Sequence, residues 1–252
     1  MSSAPNPIFS LLWFFATTVI LFIIRYITSD SSKLIFFVIY IFLLIAGELF
    51  INLQLTAAIC GTTQTGTAMM VTFIPWLIIF GLLNVMLLVF KGWKQPFSNT
   101  FGYLLTRLMG ISDLLNQILK PLDGDLVNKE AENLANIYGD KSLFVNEIPY
   151  DEYDTFWDNM KNYFKPEAFT NVELKDGLKM MVFAKDLVAE FVWFVLTGFL
   201  VTSVSYNYLA NTTCKQSVKE MRKRHQAHQT SKINEHVQNL QADLPRIYNI
   251  NE

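Results

Sequence analysis

Four long blocks of apolar residues run along the chain, and polar stretches separate them. The blocks cover about residues 8–27, 34–58, 68–90 and 187–209. Each is long enough to cross a hydrocarbon core of about 30 Å, which needs roughly 20 residues at the rise of a helix. None alternates as barrel strands do, and a helix satisfies its own backbone hydrogen bonds in lipid. The pattern therefore predicts an all-α protein with four transmembrane helices.

Composition supports a membrane protein and excludes several other classes. Apolar residues make up 52% of the 252 residues and charged residues only 17%, whereas a soluble domain carries roughly 25% charged residues. This balance excludes a disordered chain and argues against an ordinary soluble enzyme. The net charge of −2 argues against nucleic acid as a partner. The first block has no basic residues before it and no small-residue cleavage site after it, so we expect a retained membrane helix rather than a signal peptide.

Four crossings place both chain ends on one face of the membrane and residues 91–186 on the other. Basic residues flank the membrane on both faces, so the positive-inside rule does not fix the orientation. The tail, residues 210–252, begins with a basic run that fits anionic lipid headgroups, a nucleic acid, an acidic protein face or a simple stop-transfer flank. That run contains Lys215, Lys219, Arg222, Lys223 and Arg224. Beyond it, a stripe of apolar residues at helical spacing predicts a helical tail that needs a partner surface. The stripe consists of Ile233, Val237, Leu240 and Leu244.

The large segment is acidic and is predicted to be helical. Residues 98–120 carry apolar side chains at helical spacing, which fits either an interfacial helix lying on the bilayer or a core helix of a small domain. Residues 125–138 predict a short polar helix. The stretch from residue 150 to residue 164 is rich in acids and aromatic rings, and aromatic side chains dominate the energetics of protein interfaces. Its predicted partner-contact residues are Tyr150, Tyr153, Phe156, Trp157, Tyr163 and Phe164.

The chain has two cysteines, Cys60 and Cys214. The predicted topology places both just outside the membrane on the same face, at the ends of the second and fourth helices. A disulfide between these two helices and a pair of unrelated free thiols are both compatible with this placement. A disulfide would imply an oxidising face or a system with its own oxidation machinery.

Three polar residues lie inside the predicted membrane helices. Glu48 and Asn52 share one face of the second helix, one turn apart, and Asn84 in the third helix is a candidate hydrogen-bond partner. A carboxylate in hydrocarbon costs a few kcal/mol, so Glu48 should face the bundle or a cavity. The residues serve either as polar contacts between helices or as part of a proton or cation path, and the small number of ionisable groups favours the first role.

Several stretches together resemble integral inner-membrane virion proteins of large icosahedral DNA viruses, in particular the algal-virus and giant-virus group. They are CGTTQTGT at residues 60–67, VTFIPWLIIFGLLN at 71–84, PFSNTFGYLLTRLMG at 96–110 and SYNYLANTTC at 205–214. The resemblance also includes the multi-span layout. It implies a structural protein that lies in the bilayer beneath a capsid and contacts minor capsid proteins.

The residues and the resemblance together predict a structural virion membrane protein. It would anchor the inner membrane, dock to capsid or minor capsid proteins through its extramembrane segments, and pass through a host endomembrane during assembly. No catalytic, metal-binding or cofactor-binding motif is present in the sequence, so we expect no enzyme activity and no cofactor. Homo-oligomerisation is compatible with the sequence. The alternative is a small oligomeric channel or transporter in which Glu48 and Asn52 face a pore.

Overall fold

The computed structural model describes residues 8–28, 32–120, 140–212, 214 and 218–242. Within these ranges the backbone is helical, and its only β pairing is a single antiparallel bridge between Leu119 and Phe164. Four helices are long and apolar enough to cross a membrane. The prediction of an all-α, multi-pass membrane protein is therefore confirmed. The polar helix predicted at residues 125–138 lies outside the described residues.

The first two spans pack side by side as α1 (Ile8–Ile27) and α2 (Lys33–Cys60). The second span extends slightly beyond the predicted residues 34–58. Gly61 ends α2 in the left-handed conformation, with φ 65°, which a glycine adopts without steric cost. The outward-facing apolar side chains of α1 and α2 are widely exposed, as a surface in contact with lipid tails requires.

The third span is a composite helix. It consists of α3 (Thr65–Phe73), a π-helical turn at Ile74–Phe80, and α4 (Gly81–Val89). Pro75 explains the change of helix type, because proline has no backbone N–H and clashes with the preceding turn. The span thus crosses the membrane at about the predicted residues 68–90 without a break.

The predicted helix at residues 98–120 is two helices rather than one. A π-helical turn leads into α5 (Tyr103–Leu108), and α6 (Ile111–Ile118) follows it. Gly110 separates them with φ 88°, a conformation that residues other than glycine rarely adopt. Before this break, Leu104 and Leu108 are 56% and 79% exposed; after it, Ile111, Leu115 and Ile118 of α6 are buried. The second half is therefore a core helix of a small domain, and the interfacial placement of the first half stays a prediction.

The second half of this segment belongs to a small extramembrane domain, the head. Its further elements are a 3₁₀ helix at Lys141–Glu147, α7 (Tyr153–Asn159) and a single turn at Pro166–Phe169. The head encloses its own apolar core, formed by Ile111, Leu115, Ile118, Leu119, Phe144, Val145, Ile148, Tyr153, Trp157, Phe164, Ala168, Leu178 and Val182.

One long helix joins the head to the membrane bundle. This helix, α8 (Val172–Ala210), has 39 residues and is about 58 Å long at 1.5 Å per residue. That is nearly twice the thickness of a hydrocarbon core. Its first part contributes Leu178 to the core of the head and its second part contributes Phe194 to the core of the bundle. The predicted fourth span, residues 187–209, is the second part of this helix.

The tail forms α9 (Val218–Ala242). Every side chain of α9 whose exposure the structure describes is exposed, including Ile233 at 62% and Val237 at 44%. The predicted helical stripe thus lies on a helix whose apolar residues face solvent. The last predicted member of the stripe, Leu244, is outside the described residues.

Candidate functional site: the membrane bundle and its two faces

Glu48 lies in the interior of the bundle and is fully buried. The Ser10 hydroxyl of α1 donates a hydrogen bond of 2.5 Å to Oε2 of Glu48. Its other oxygen, Oε1, has no hydrogen-bond partner among the described residues. Glu48 therefore joins α2 to α1, and the protein surface does not present it to a neighbouring molecule.

Asn52 joins α2 to α3, and Asn84 does not take part in this contact. Nδ2 of Asn52 donates to Oγ1 of Thr72 at 2.8 Å, while Nδ2 of Asn84 donates to the carbonyl of Phe80 in its own helix. Pairing of Asn84 with the polar residues of α2 was a wrong prediction. Asn84 lies 12 residues beyond Thr72, about 18 Å further along the span.

Aromatic rings fill the interior of the bundle between Glu48 and the charged residues at the end nearest the head. Phe14 lies one turn beyond Ser10, and its ring centroid is 5.5 Å from that of Trp76. Phe80 stands 5.4 Å from Trp76 and 5.5 Å from Phe194. All four rings are at most 3% exposed. This stack occupies the interior between Glu48 and the charged residues at the opposite end of the bundle.

Small residues allow the rings to pack this closely. A Cβ added at Gly198 of α8 would overlap the ring of Phe14. Close approach of helices at a small residue is typical of membrane bundles. The stack therefore depends on the glycine as well as on the rings.

A charged cluster closes the end of the bundle nearest the head. Arg25 of α1 and Glu190 of α8 form two parallel contacts, Nη1 to Oε1 at 2.9 Å and Nη2 to Oε2 at 3.0 Å. Nζ of Lys33, at the start of α2, lies 3.6 Å from Oε2 of Glu190. The sequence interpretation missed this cluster, although each residue stands at the edge of an apolar block, where charges of opposite sign could have been paired.

The opposite end of the bundle carries the disulfide. Cys60, the last residue of α2, and Cys214, beyond the end of α8, are bonded, with Cα atoms 5.4 Å apart. The bond joins positions 154 residues apart. It ties the end of the hairpin of the first two spans to the end of the fourth span.

The aromatic residues of the head are mostly internal. Tyr153, Trp157 and Phe164 are each 1% exposed, and Tyr150 and Phe156 are half-buried against the same core. The prediction that these rings are contact anchors for a partner is wrong for the three buried ones. They belong to the core of the head, where the ring centroids of Trp157 and Phe164 are 4.6 Å apart. Tyr163, at 46% exposure, is the most exposed of the six predicted contact residues, and Tyr150 and Phe156 keep part of their surface exposed.

The outer surface of the head is acidic. Glu152, Asp158 and Glu167 are exposed, whereas several lysines of the head are engaged with backbone or side-chain oxygens. Nζ of Lys120 donates to the carbonyl of Asn162 at 2.7 Å, and Nζ of Lys165 donates to that of Asn116 at 2.7 Å. Between residues 110 and 172, the described part of the chain has eight Asp and Glu and four Lys. The head therefore presents negative charge to its surroundings.

Local hydrogen bonds hold two further carboxylates of the head in their charged form. The hydroxyl and backbone N–H of Ser142 donate to Asp140 at the start of the 3₁₀ helix and hold the pKa of Asp140 below its usual range. Hydrogen bonds from Lys179 and Lys175 likewise lower the pKa of Asp154. Charge on the head thus persists at mildly acidic pH.

The basic run at the other face is only partly described. Arg222 and Lys223 of α9 are exposed. Lys219 and Arg224 lie in the same helix, and Lys215 is outside the described residues. The side chains that the structure describes leave positive charge open to solvent on the face opposite the head.

A polar cavity of about 300 Å³ lies where the head meets the bundle. It contains Lys94, which forms an ion pair of 2.7 Å with Asp186, and Lys185, whose Nζ donates to the carbonyl of Val145 at 2.7 Å. Lys185 thus fastens the head to α8, and Lys94 fastens to the same helix the chain that leaves the third span. Among the described residues, no group of three or more His, Cys, Asp or Glu side chains is placed to hold a metal ion.

Comparisons with known proteins address the whole chain rather than single residues. No family model, no curated protein and no solved structure matches this chain.

Proposed function

We propose that this protein is a structural membrane protein of a virion, which anchors the inner membrane and docks to capsid or minor capsid proteins on its surfaces. The observation that carries the proposal is the pairing of a tightly packed bundle with two extramembrane modules of opposite charge. The head presents acids such as Glu152 on one face, and α9 presents Arg222 and Lys223 on the other. The resemblance to inner-membrane virion proteins supplies the kind of particle.

The mechanical connection between head and bundle supports an anchoring role. The continuous α8 joins them, and the ion pair of Lys94 with Asp186 holds the intervening chain against that helix. At the far end the disulfide of Cys60 with Cys214 fixes the exit of α8. A load applied to the head would thus pass to the bundle through a helix fastened at both ends. The disulfide also requires an oxidising face or oxidation machinery of the system's own.

Docking through the acidic surface gives a direct prediction. We expect the triple variant Glu152→Lys, Asp158→Lys and Glu167→Lys to insert into membranes normally but to be incorporated poorly into particles. The reason is that like charges across an interface suppress association. The measurement is the ratio of this protein to major capsid protein in purified particles, with membrane insertion followed in the producing cells.

A charge-preserving variant is the matched control. Glu152→Asp, Asp158→Glu and Glu167→Asp alter the same three exposed positions and keep their sign, so we expect incorporation close to that of the unmodified protein. Normal incorporation of the lysine variant would refute docking through this surface.

The channel alternative receives no support from the position of its key residues. Glu48 and Asn52 are 0% and 2% exposed and bond to neighbouring helices of the same chain, so they do not face a pore between copies. The ring stack around Phe14 fills the space that a path through one chain would need.

A flux measurement in liposomes distinguishes the two roles considered for Glu48, a polar contact between helices and a residue that faces a pore. We expect liposomes that contain the protein to show no proton or cation flux above empty liposomes. We expect Glu48→Gln to fold normally, because glutamine keeps the shape and can still bond Ser10. Flux through the unmodified protein that disappears in Glu48→Gln would establish the channel. It would also contradict the assignment of Glu48 as a contact between α1 and α2.

A further inference from the structure

An apolar groove lies on the outside of the bundle at the end nearest the head. Its walls come from the last turns of α1, from the end of α5 and from the middle of α8, and its volume is about 410 Å³. Val19 and Tyr26 line it from α1, Leu105 from α5 and Met109 from just beyond its end, and Leu187 and Val188 from α8. The groove thus lies where the amphipathic segment meets two membrane helices.

The lining offers nothing to a polar ligand. The residues around the groove are apolar apart from the hydroxyl of Tyr26. The neighbouring charged residues of α8, Lys185 and Asp186, line the polar cavity beneath the head instead. A soluble polar molecule would lose its hydrogen bonds to water here and gain none in return.

The groove is continuous with the lipid-facing surface of the protein. Ile23, in its α1 wall, is 52% exposed, and Leu104 and Leu108 of α5 are exposed beside it. The volume falls within the roughly 300–1,000 Å³ of small-molecule sites. A transmembrane helix about 10 Å wide has a cross-section of about 80 Å², so this volume would hold only about one turn of it. An extended chain fits better than a helix.

We propose that the groove binds an acyl chain of a phospholipid from the leaflet that faces the head. The acyl chain lies between α1 and α8, and α5 covers it on the side of the head. In this position it fills the gap between the bundle and the amphipathic segment, and it holds α5 at a fixed depth in the interface. This proposal goes beyond the docking function and does not depend on it.

Photolabelling of the full-length protein in nanodiscs tests this site. The probe is phosphatidylcholine with a diazirine on its acyl chain, and the readout is the number of lipid adducts per peptide. We expect adducts in residues 19–26 and 184–191 to exceed those in residues 35–42 of α2, an apolar stretch near the same end of the bundle in which Ile35, Val38, Ile39 and Phe42 are exposed. Val188→Trp and, separately, Met109→Trp should fill the groove from different walls and reduce its adducts to the level of residues 35–42.

Val195→Trp is the matched control, because Val195 is a half-buried valine two turns further along α8 and does not line the groove. It should leave the adducts unchanged. Adducts in the groove that are no denser than those in residues 35–42 would overturn the proposal. Adducts that persist in both groove-filling variants would do the same.

Discussion

Replacing Trp157 with alanine is expected to unfold the head while leaving the membrane bundle in place. The indole is 1% exposed and packs against Phe164, with Phe169 stacked at 6.3 Å between ring centroids. Removing a large buried aromatic side chain costs about 3–5 kcal/mol, which is a large share of the stability of so small a domain. Limited proteolysis of the full-length variant in nanodiscs should show new cleavage between residues 140 and 171.

Tyr163→Ala is the control, because Tyr163 belongs to the same aromatic stretch but is 46% exposed. Substitutions at exposed positions usually change stability by about 0.5 kcal/mol or less, so its cleavage pattern should match that of the unmodified protein. Resistance of Trp157→Ala to cleavage, or equal sensitivity of both variants, would contradict the internal role assigned to Trp157.

Replacing Glu190 with leucine is expected to destabilise the bundle strongly. The change leaves Arg25, whose side chain is 3% exposed, without its carboxylate partner. Removing one member of a buried ion pair costs about 3–5 kcal/mol. The thermal unfolding midpoint in nanodiscs, followed by intrinsic tryptophan fluorescence, should therefore fall well below that of the unmodified protein.

The double variant Glu190→Leu with Arg25→Met separates lost pairing from lost packing. Because it leaves no unpaired buried arginine, we expect it to recover much of the loss. Glu173→Leu serves as a control, since Glu173 is an exposed glutamate at the start of the same helix, away from Arg25. A single variant as stable as the unmodified protein would contradict the buried pair, and so would a double variant no better than the single one.

The membrane helices could be predicted from sequence because long apolar blocks have few structural alternatives. The bounds of α1 agree with the predicted residues 8–27. Length and hydropathy decide such a helix by themselves, because a backbone in lipid must satisfy its own hydrogen bonds. Helix packing does not enter that decision.

Contacts between helices were harder to predict, because they depend on rotation and depth. Asn52 bonds to Thr72 rather than to Asn84, and a single sequence does not fix the level at which two spans meet. The pairing of Arg25 with Glu190 is a contact between helices that could have been predicted from the sequence. Two charges of opposite sign at the same end of neighbouring spans have few other partners.

The aromatic stretch shows why composition misleads in a small domain. Rings such as Trp157 suit a protein interface and a domain core equally well. The decision rests on whether other apolar residues surround them, and here α6 and the first part of α8 do. The break at Gly110, with its positive φ, explains why one apolar helical pattern supplies both an exposed stretch and a part of that core.

The location of this protein in purified particles tests most directly the central claim that it is a structural membrane protein of a virion. A density map of purified particles, at a resolution that separates helices, should show four helices of this chain crossing a bilayer beneath the capsid. The head should contact protein on one side of that bilayer and α9 should extend from the other. Absence of this protein from purified particles, or a position in the map with both extramembrane modules free of protein contacts, would contradict the account.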